Sequence, residues 1–119
     1  MSNQNLKDRT KKYAISVLKY LEKLPNKRPY FSIHDQLARS SMSVGANYRA
    51  AARAKSSADF INKLKIVEEE CDESMYFLEI LLELLPEHKK ELEIFHKEAN
   101  ELLAITVASI KTARKNNTH

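Results

Sequence analysis

Few side chains in this sequence stand at spacings that chemistry uses. Its one cysteine, Cys71, lies inside Glu68-Glu69-Glu70-Cys71-Asp72-Glu73. A reactive thiolate needs nearby cations or a helix N-terminus, and this stretch supplies the opposite field, so Cys71 reads as a buried, inert thiol. Glu69 and Glu73, or Glu70 and Glu73, would share a helical face. A carboxylate-bridged metal pair in a helical bundle also needs Glu-x-x-His on each of two helices, and Glu93-Ile94-Phe95-His96 is the one such spacing in the sequence. His88 and His96 are eight residues apart, too far to ligate one metal easily, and read as solvent-facing. The sequence therefore points to no metal, no cofactor and no catalytic group.

One pair merits a separate weighing. Arg28 and His34 have the Arg-x5-His spacing of the loose signature found in helical HEPN-type ribonucleases, and a ribonuclease built on them is the enzymatic alternative. Pro29 lies between them, however, and breaks the helix on which that signature usually sits. The spacing is read as coincidence, because motifs this short are permissive.

Charge is the stronger signal. Residues 1–55 hold 12 Lys/Arg against 3 Asp/Glu, residues 56–101 hold 5 against 13, and the remaining tail adds three cations, giving the net +4. Lys7, Arg9, Lys11, Lys12, Lys19, Lys23, Lys27 and Arg28 form a basic set that could hold a phosphate backbone through counterion release. The same division would also arise if a basic helix pair were neutralised by an acidic one, with Glu69, Glu70 and Glu73 facing Arg49, Arg53 or Lys55. No zinc finger, helix-turn-helix sequence or aromatic platform offers base-specific reading.

The elements that must position these groups are helices. One glycine and three prolines in 119 residues leave little of the positive-φ turn chemistry that hairpins need. A chain of this length suits one domain, here residues 1–119. A single cysteine excludes an internal disulfide framework. No apolar run reaches the roughly 18–20 residues that span a bilayer, and the polar start, Met-Ser-Asn-Gln-Asn, does not resemble a secretion signal. The cytoplasm is the expected compartment, with no membrane role.

Apolar residues at three- and four-residue steps predict helices over about 6–24, 33–54, 57–85 and 87–114. Pro25 and Pro29 end the first, Ser32 is the expected N-cap of the second, and Ser56-x-x-Asp59 caps the third. The second is unusually small in its middle, where Ser40, Ser41, Ser43, Gly45 and Ala46 would admit a neighbouring backbone. Gly45 costs about 1 kcal/mol of helix propensity relative to alanine, so it is expected to serve packing. Phe60, Leu64, Val67, Cys71, Ser74, Leu78, Leu81 and Leu85 repeat every seven residues, the pattern of shallow-angle bundle packing. Pro86 suits the start of the fourth helix. Short connectors make the helices antiparallel. The expected fold is all-α, an antiparallel up-and-down four-helix bundle.

Arg39, Ser43-Val44 with Asn47, Ser56 with Phe60, and Glu73 match a recognisable pattern. In these residues the sequence resembles the bacterial four-helix bundle protein family, whose founding members are encoded in intervening sequences within large-subunit ribosomal RNA genes. The likeness runs end to end, with its specific motifs in about residues 37–80. Two positions depart from it: Ala50 stands where many members have glutamate, and Glu69-Glu70 where many have Gly-Ser. The acidic partner is thus expected to have moved to the third helix, facing Arg49 or Arg53. Arg39, Ser43, Asn47, Phe60 and Glu73 are expected to be structural.

The resemblance implies assembly into homo-oligomeric rings, commonly pentamers. Accessory proteins of diversity-generating retroelements share the fold, form basic barrels and bind nucleic acid with a reverse transcriptase. The expected function is therefore a non-enzymatic oligomeric module binding RNA or DNA through a basic surface. The alternative is a scaffold for a protein partner, its basic and acidic helices paired internally.

Overall fold

A computed structural model describes residues 3–117. Four helices follow one another along the chain: α1 Asn3–Leu21, α2 Tyr30–Ala52, α3 Ser57–Leu84 and α4 Lys89–Asn117, with a 3₁₀ turn Pro86–His88 before α4. They form an antiparallel bundle measuring 52 × 21 × 20 Å. The third helix is central, packing most extensively against both α2 and α4. Its heptad residues Leu64, Val67, Cys71, Ser74, Leu78 and Leu81, with Leu85 beyond its end, are all buried. Phe60 is half-buried and packs on the edge of the same cluster. Among the described residues no helix is long and apolar enough to cross a membrane.

The helix ends follow local chemistry, with two departures from the sequence expectation. Ser56 caps α3, its Oγ accepting from the Asp59 amide at 3.0 Å. Ser32 does not cap α2, which begins two residues earlier behind Pro29 and has no side-chain cap. The Tyr30 amide donates to the Lys27 carbonyl at 2.7 Å, closing a turn that leads straight into the helix, and Ser32 falls inside the first helical turn. The first helix ends at Leu21 rather than Leu24. Lys23 and Leu24 continue it only as turns, their amides donating to Tyr20 and Leu21 carbonyls, and Leu24 is still buried.

The small middle of α2 does two jobs. A Cβ added to Gly45 would sit 3.2 Å from Thr10 Oγ1 and 3.5 Å from the Thr10 carbonyl carbon. The glycine thus sets how closely α1 approaches α2. Thr10 Oγ1 is satisfied within its own helix, donating to the Leu6 carbonyl at 2.8 Å. On the neighbouring face, Ser74 Oγ donates to Ser40 Oγ at 3.0 Å in the core. Ser40 and Ser41 donate in turn to the carbonyls of Leu37 and Ala38. These bonds answer the desolvation cost of burying hydroxyls. Tyr13 is less well served: its hydroxyl lies near Ser74 but is buried without a hydrogen bond of normal geometry.

Gly45→Leu should overpack the α1–α2 contact and lower stability by about 1–3 kcal/mol, read as a shift in the urea midpoint. An unchanged midpoint would mean that α1 can move away from α2 at little cost.

Candidate nucleic-acid interface

Antiparallel wrapping brings the start of α1, the end of α2, the start of α3 and the end of α4 to one end of the bundle. A cleft of about 610 Å³ marks their convergence, walled by Leu6, Tyr48, Phe60, Leu64 and Ile105. Around this end lie Lys7, Arg9, Lys11 and Lys12 of α1, and Arg49, Arg53 and Lys55 from α2 and its connector. Lys63 and Lys65 of α3 join them, with Lys111, Arg114 and Lys115 of α4. Asp8 and Asp59 lie among them in the same segments, and Glu98 and Glu101 of α4 reach Arg9. The rest of the chain is net acidic, so the polarity runs along the bundle's long axis as well as between helices.

The basic set expected from the sequence is divided by this arrangement. Lys7 and Lys11 line a cleft of about 410 Å³ between α1 and α2, where Arg49 joins them. Lys12 lines a different cleft, between α1 and α4, beside Lys97, Glu98 and Glu101. Arg9 is paired, its guanidinium donating to both Glu98 oxygens at 2.7 Å and to Glu101 at 3.1 Å. Those carboxylates hold its pKa above the usual arginine value, the Glu98 hydrogen bond contributing most. Lys19 lies three turns along α1 from Lys7, about 18 Å at 1.5 Å per residue. Lys23 sits over the Tyr20 ring, 5.6 Å from its centroid. Lys27 and Arg28 occupy the connector at the far end. The sequence reading missed that Arg53, Lys55, Lys63, Lys65 and the α4 cations share an end with Lys7 and Lys11. An antiparallel helix order was the signal that would have found them.

Arg28 and His34 do not share a cleft. Arg28 lies with Pro29, Phe31 and Ser32 on one surface. His34 lies with Leu18, Leu21 and Glu22 on another, where burial holds its pKa below the ordinary histidine value. No group of three or more His, Cys, Asp or Glu side chains placed to hold a metal occurs among the described residues. Cys71 is fully buried. Burial pushes its thiol up to about 12, with Glu70, Asp72, Glu68 and Glu98 adding to the effect.

The acidic residues of α3 do pair across helices, but with a different arginine from the one expected. Arg39 reaches Glu70 at 3.1 Å and also binds Glu73. Arg49, Arg53 and Lys55 make no ion pair within 4.0 Å among the described residues. Arg39 stands on the α2 surface beside the Ser40–Ser74 contact, whereas Arg49 opens into the α1–α2 cleft. Glu70 is held above the usual carboxylate range, by burial first and then by its hydrogen bond with Glu73. Glu73 is held below it by that bond and by Arg39. Asn47, the other polar residue of the motif, donates through Nδ2 to the Ser43 carbonyl at 2.8 Å. The Arg39 contacts fix α2 against α3, whereas the Asn47 bond stays within α2.

The pattern that defines the 23S rRNA-intervening sequence protein family matches residues 3–108. The chain belongs to that family. Its fold is also that of a protein of unknown function from the S23 ribosomal protein family of Bacteroides thetaiotaomicron, solved by crystallography. The two are 32% identical, with a TM-score of 0.84, over 93% of this chain and 99% of the other. No curated protein matches the chain. Within this intervening-sequence protein, Arg39 and Glu73 are thus a helix-to-helix ion pair.

Arg39→Ala should destabilise the fold by about 1 kcal/mol, since the pair is largely exposed. A double-mutant cycle with Glu73→Gln should recover a favourable coupling; strict additivity would show that the pair contributes nothing. The Cys71 thiol should resist a disulfide reagent at pH 8 in the native state and react on denaturation. Fast native reaction would contradict its burial.

Proposed function

We propose that this chain is a non-enzymatic, cytoplasmic, oligomeric module that binds nucleic acid through the basic end of its bundle. The observation that carries the reading is the gathering of cations from all four helices at that end, where Asp8 and Asp59 lie among them and Glu98 and Glu101 bind Arg9. Association with 23S ribosomal RNA genes in the family's description makes RNA the first ligand to try. Phosphate contacts supply affinity without sequence information, so selectivity among sequences is weak. A ring, with five copies as the size the family resemblance implies, would multiply the basic ends on one particle and raise avidity. Large apolar side chains left in solvent, Ile15 at 42%, Tyr76 at 59% and Ile94 at 58% exposed, support contact between copies.

Labelled RNA and DNA should bind at low salt. For single strands, log K should fall against log salt by about 0.7 per phosphate neutralised. Absence of binding even at low salt would remove the proposal, and native co-purification with a defined protein free of nucleic acid would favour the scaffold reading instead. Light scattering should give a multiple of 13.7 kDa, fivefold for a pentamer; a monomer would remove the ring.

A further inference from the structure

The cations at the basic end are not equivalent, because three of them converge on one concave surface. Lys7 and Lys11 stand one helical turn apart on α1, and Arg49 reaches the same cleft from α2. Successive turns of a helix are about 5.4 Å apart, so the two lysines form a short row, with the arginine on the opposite wall. Gly45 and Ala46 also line the cleft, and Ala46 leaves room that a larger side chain would fill. Asp8 is its one carboxylate. Among the described residues the charged nitrogens of Lys7, Lys11 and Arg49 make no ion pair within 4.0 Å, in contrast to Arg9 and Arg39, which are held by glutamates. Met42, 48% exposed, lines the same cleft.

We infer that the α1–α2 cleft is a track for the phosphodiester backbone of a single nucleic-acid strand. The inference rests on the nucleic-acid reading above and specifies its site and ligand class. A cleft of about 410 Å³ between two packed helices suits one strand. A duplex is convex and would meet only the tips of the flanking helices. The lining holds no aromatic ring, so bases have nothing to stack on and binding is indifferent to sequence. Arg49, absent from the basic set read from the sequence, is the residue that makes the cleft two-walled.

The test is fluorescence anisotropy of the full chain with labelled oligouridylate and with an RNA duplex of equal length. The triple variant Lys7→Ala, Lys11→Ala, Arg49→Ala is compared with Lys19→Ala, Lys27→Ala, Arg28→Ala, which removes equal charge elsewhere. The cleft variant should lose at least about tenfold in affinity for the single strand and flatten the salt slope by about 2, three contacts at roughly 0.7 each. The second variant should stay within about twofold of wild type at physiological salt, where charges beyond about 8 Å are screened. Met42→Glu, a change at an exposed position that leaves the core intact, should weaken binding in the same direction. Equal losses in the two triple variants, an unaffected Met42→Glu, or tighter binding of duplex than of single strand would each overturn the cleft while leaving nucleic-acid binding standing. A wild-type chain that binds neither probe at low salt would overturn both.

Discussion

The structure depends on the buried seam of α3. From Leu64 to Leu85 its inward residues touch both α2 and α4, and a fully buried leucine or valine contributes about 1.5–3 kcal/mol relative to leaving it in water. Leu64, Val67, Cys71, Leu78 and Leu81 are each no more than 1% exposed. Such a seam cannot be satisfied by one neighbour. The seven-residue repeat keeps it facing inward along the helix, while Ile61, Met75 and Leu82 broaden it at the sides. The second and fourth helices are therefore held by the third, and α1 closes the bundle over them.

How α1 closes is decided by small and polar groups. Gly45 lets the Thr10 backbone come close, and the Arg9 ion pairs tie the same turn of α1 to α4. Arg39 with Glu70 and Glu73 ties α2 to α3 on the outside, over the serine pair buried beneath. Exposed ion pairs add little stability, but like-charge neighbours such as Glu70 and Glu73 need a cation between the helices. In this way the arginines nearest the glutamates are used up in packing. Of the other cations, Lys7, Lys11 and Arg49 share one cleft at one end, while Lys27 and Arg28 lie at the other.

This distribution makes a surface function physically sensible. The buried groups that chemistry might use are a thiol with a raised pKa, serine and threonine hydroxyls bonded to one another or to backbone carbonyls, and the Tyr13 hydroxyl. What varies strongly across the molecule is electrostatic potential, which steers and holds charged partners without shaping a reaction centre.

Much of the fold was legible from residue type and spacing. Scarce glycine, the Phe60–Leu85 repeat and the Ser56–Asp59 cap are local features, and helix formation and stripe burial follow from local periodicity. The start of α2 was not legible at Ser32, because a backbone turn from Lys27 to Tyr30 starts the helix ahead of it. The partner of the acidic stretch was read as Arg49 or Arg53 from charge and nearness in the chain, yet it is Arg39, since partner choice depends on the relative rotation and register of two helices. The basic set was likewise visible as composition but not as a site. By itself the sequence determined a four-helix bundle with charge divided along its length. Only the tertiary structure decided which cations meet, because antiparallel packing joins Lys7, Arg49 and Lys111 at one end while placing Lys27 and Arg28 at the other.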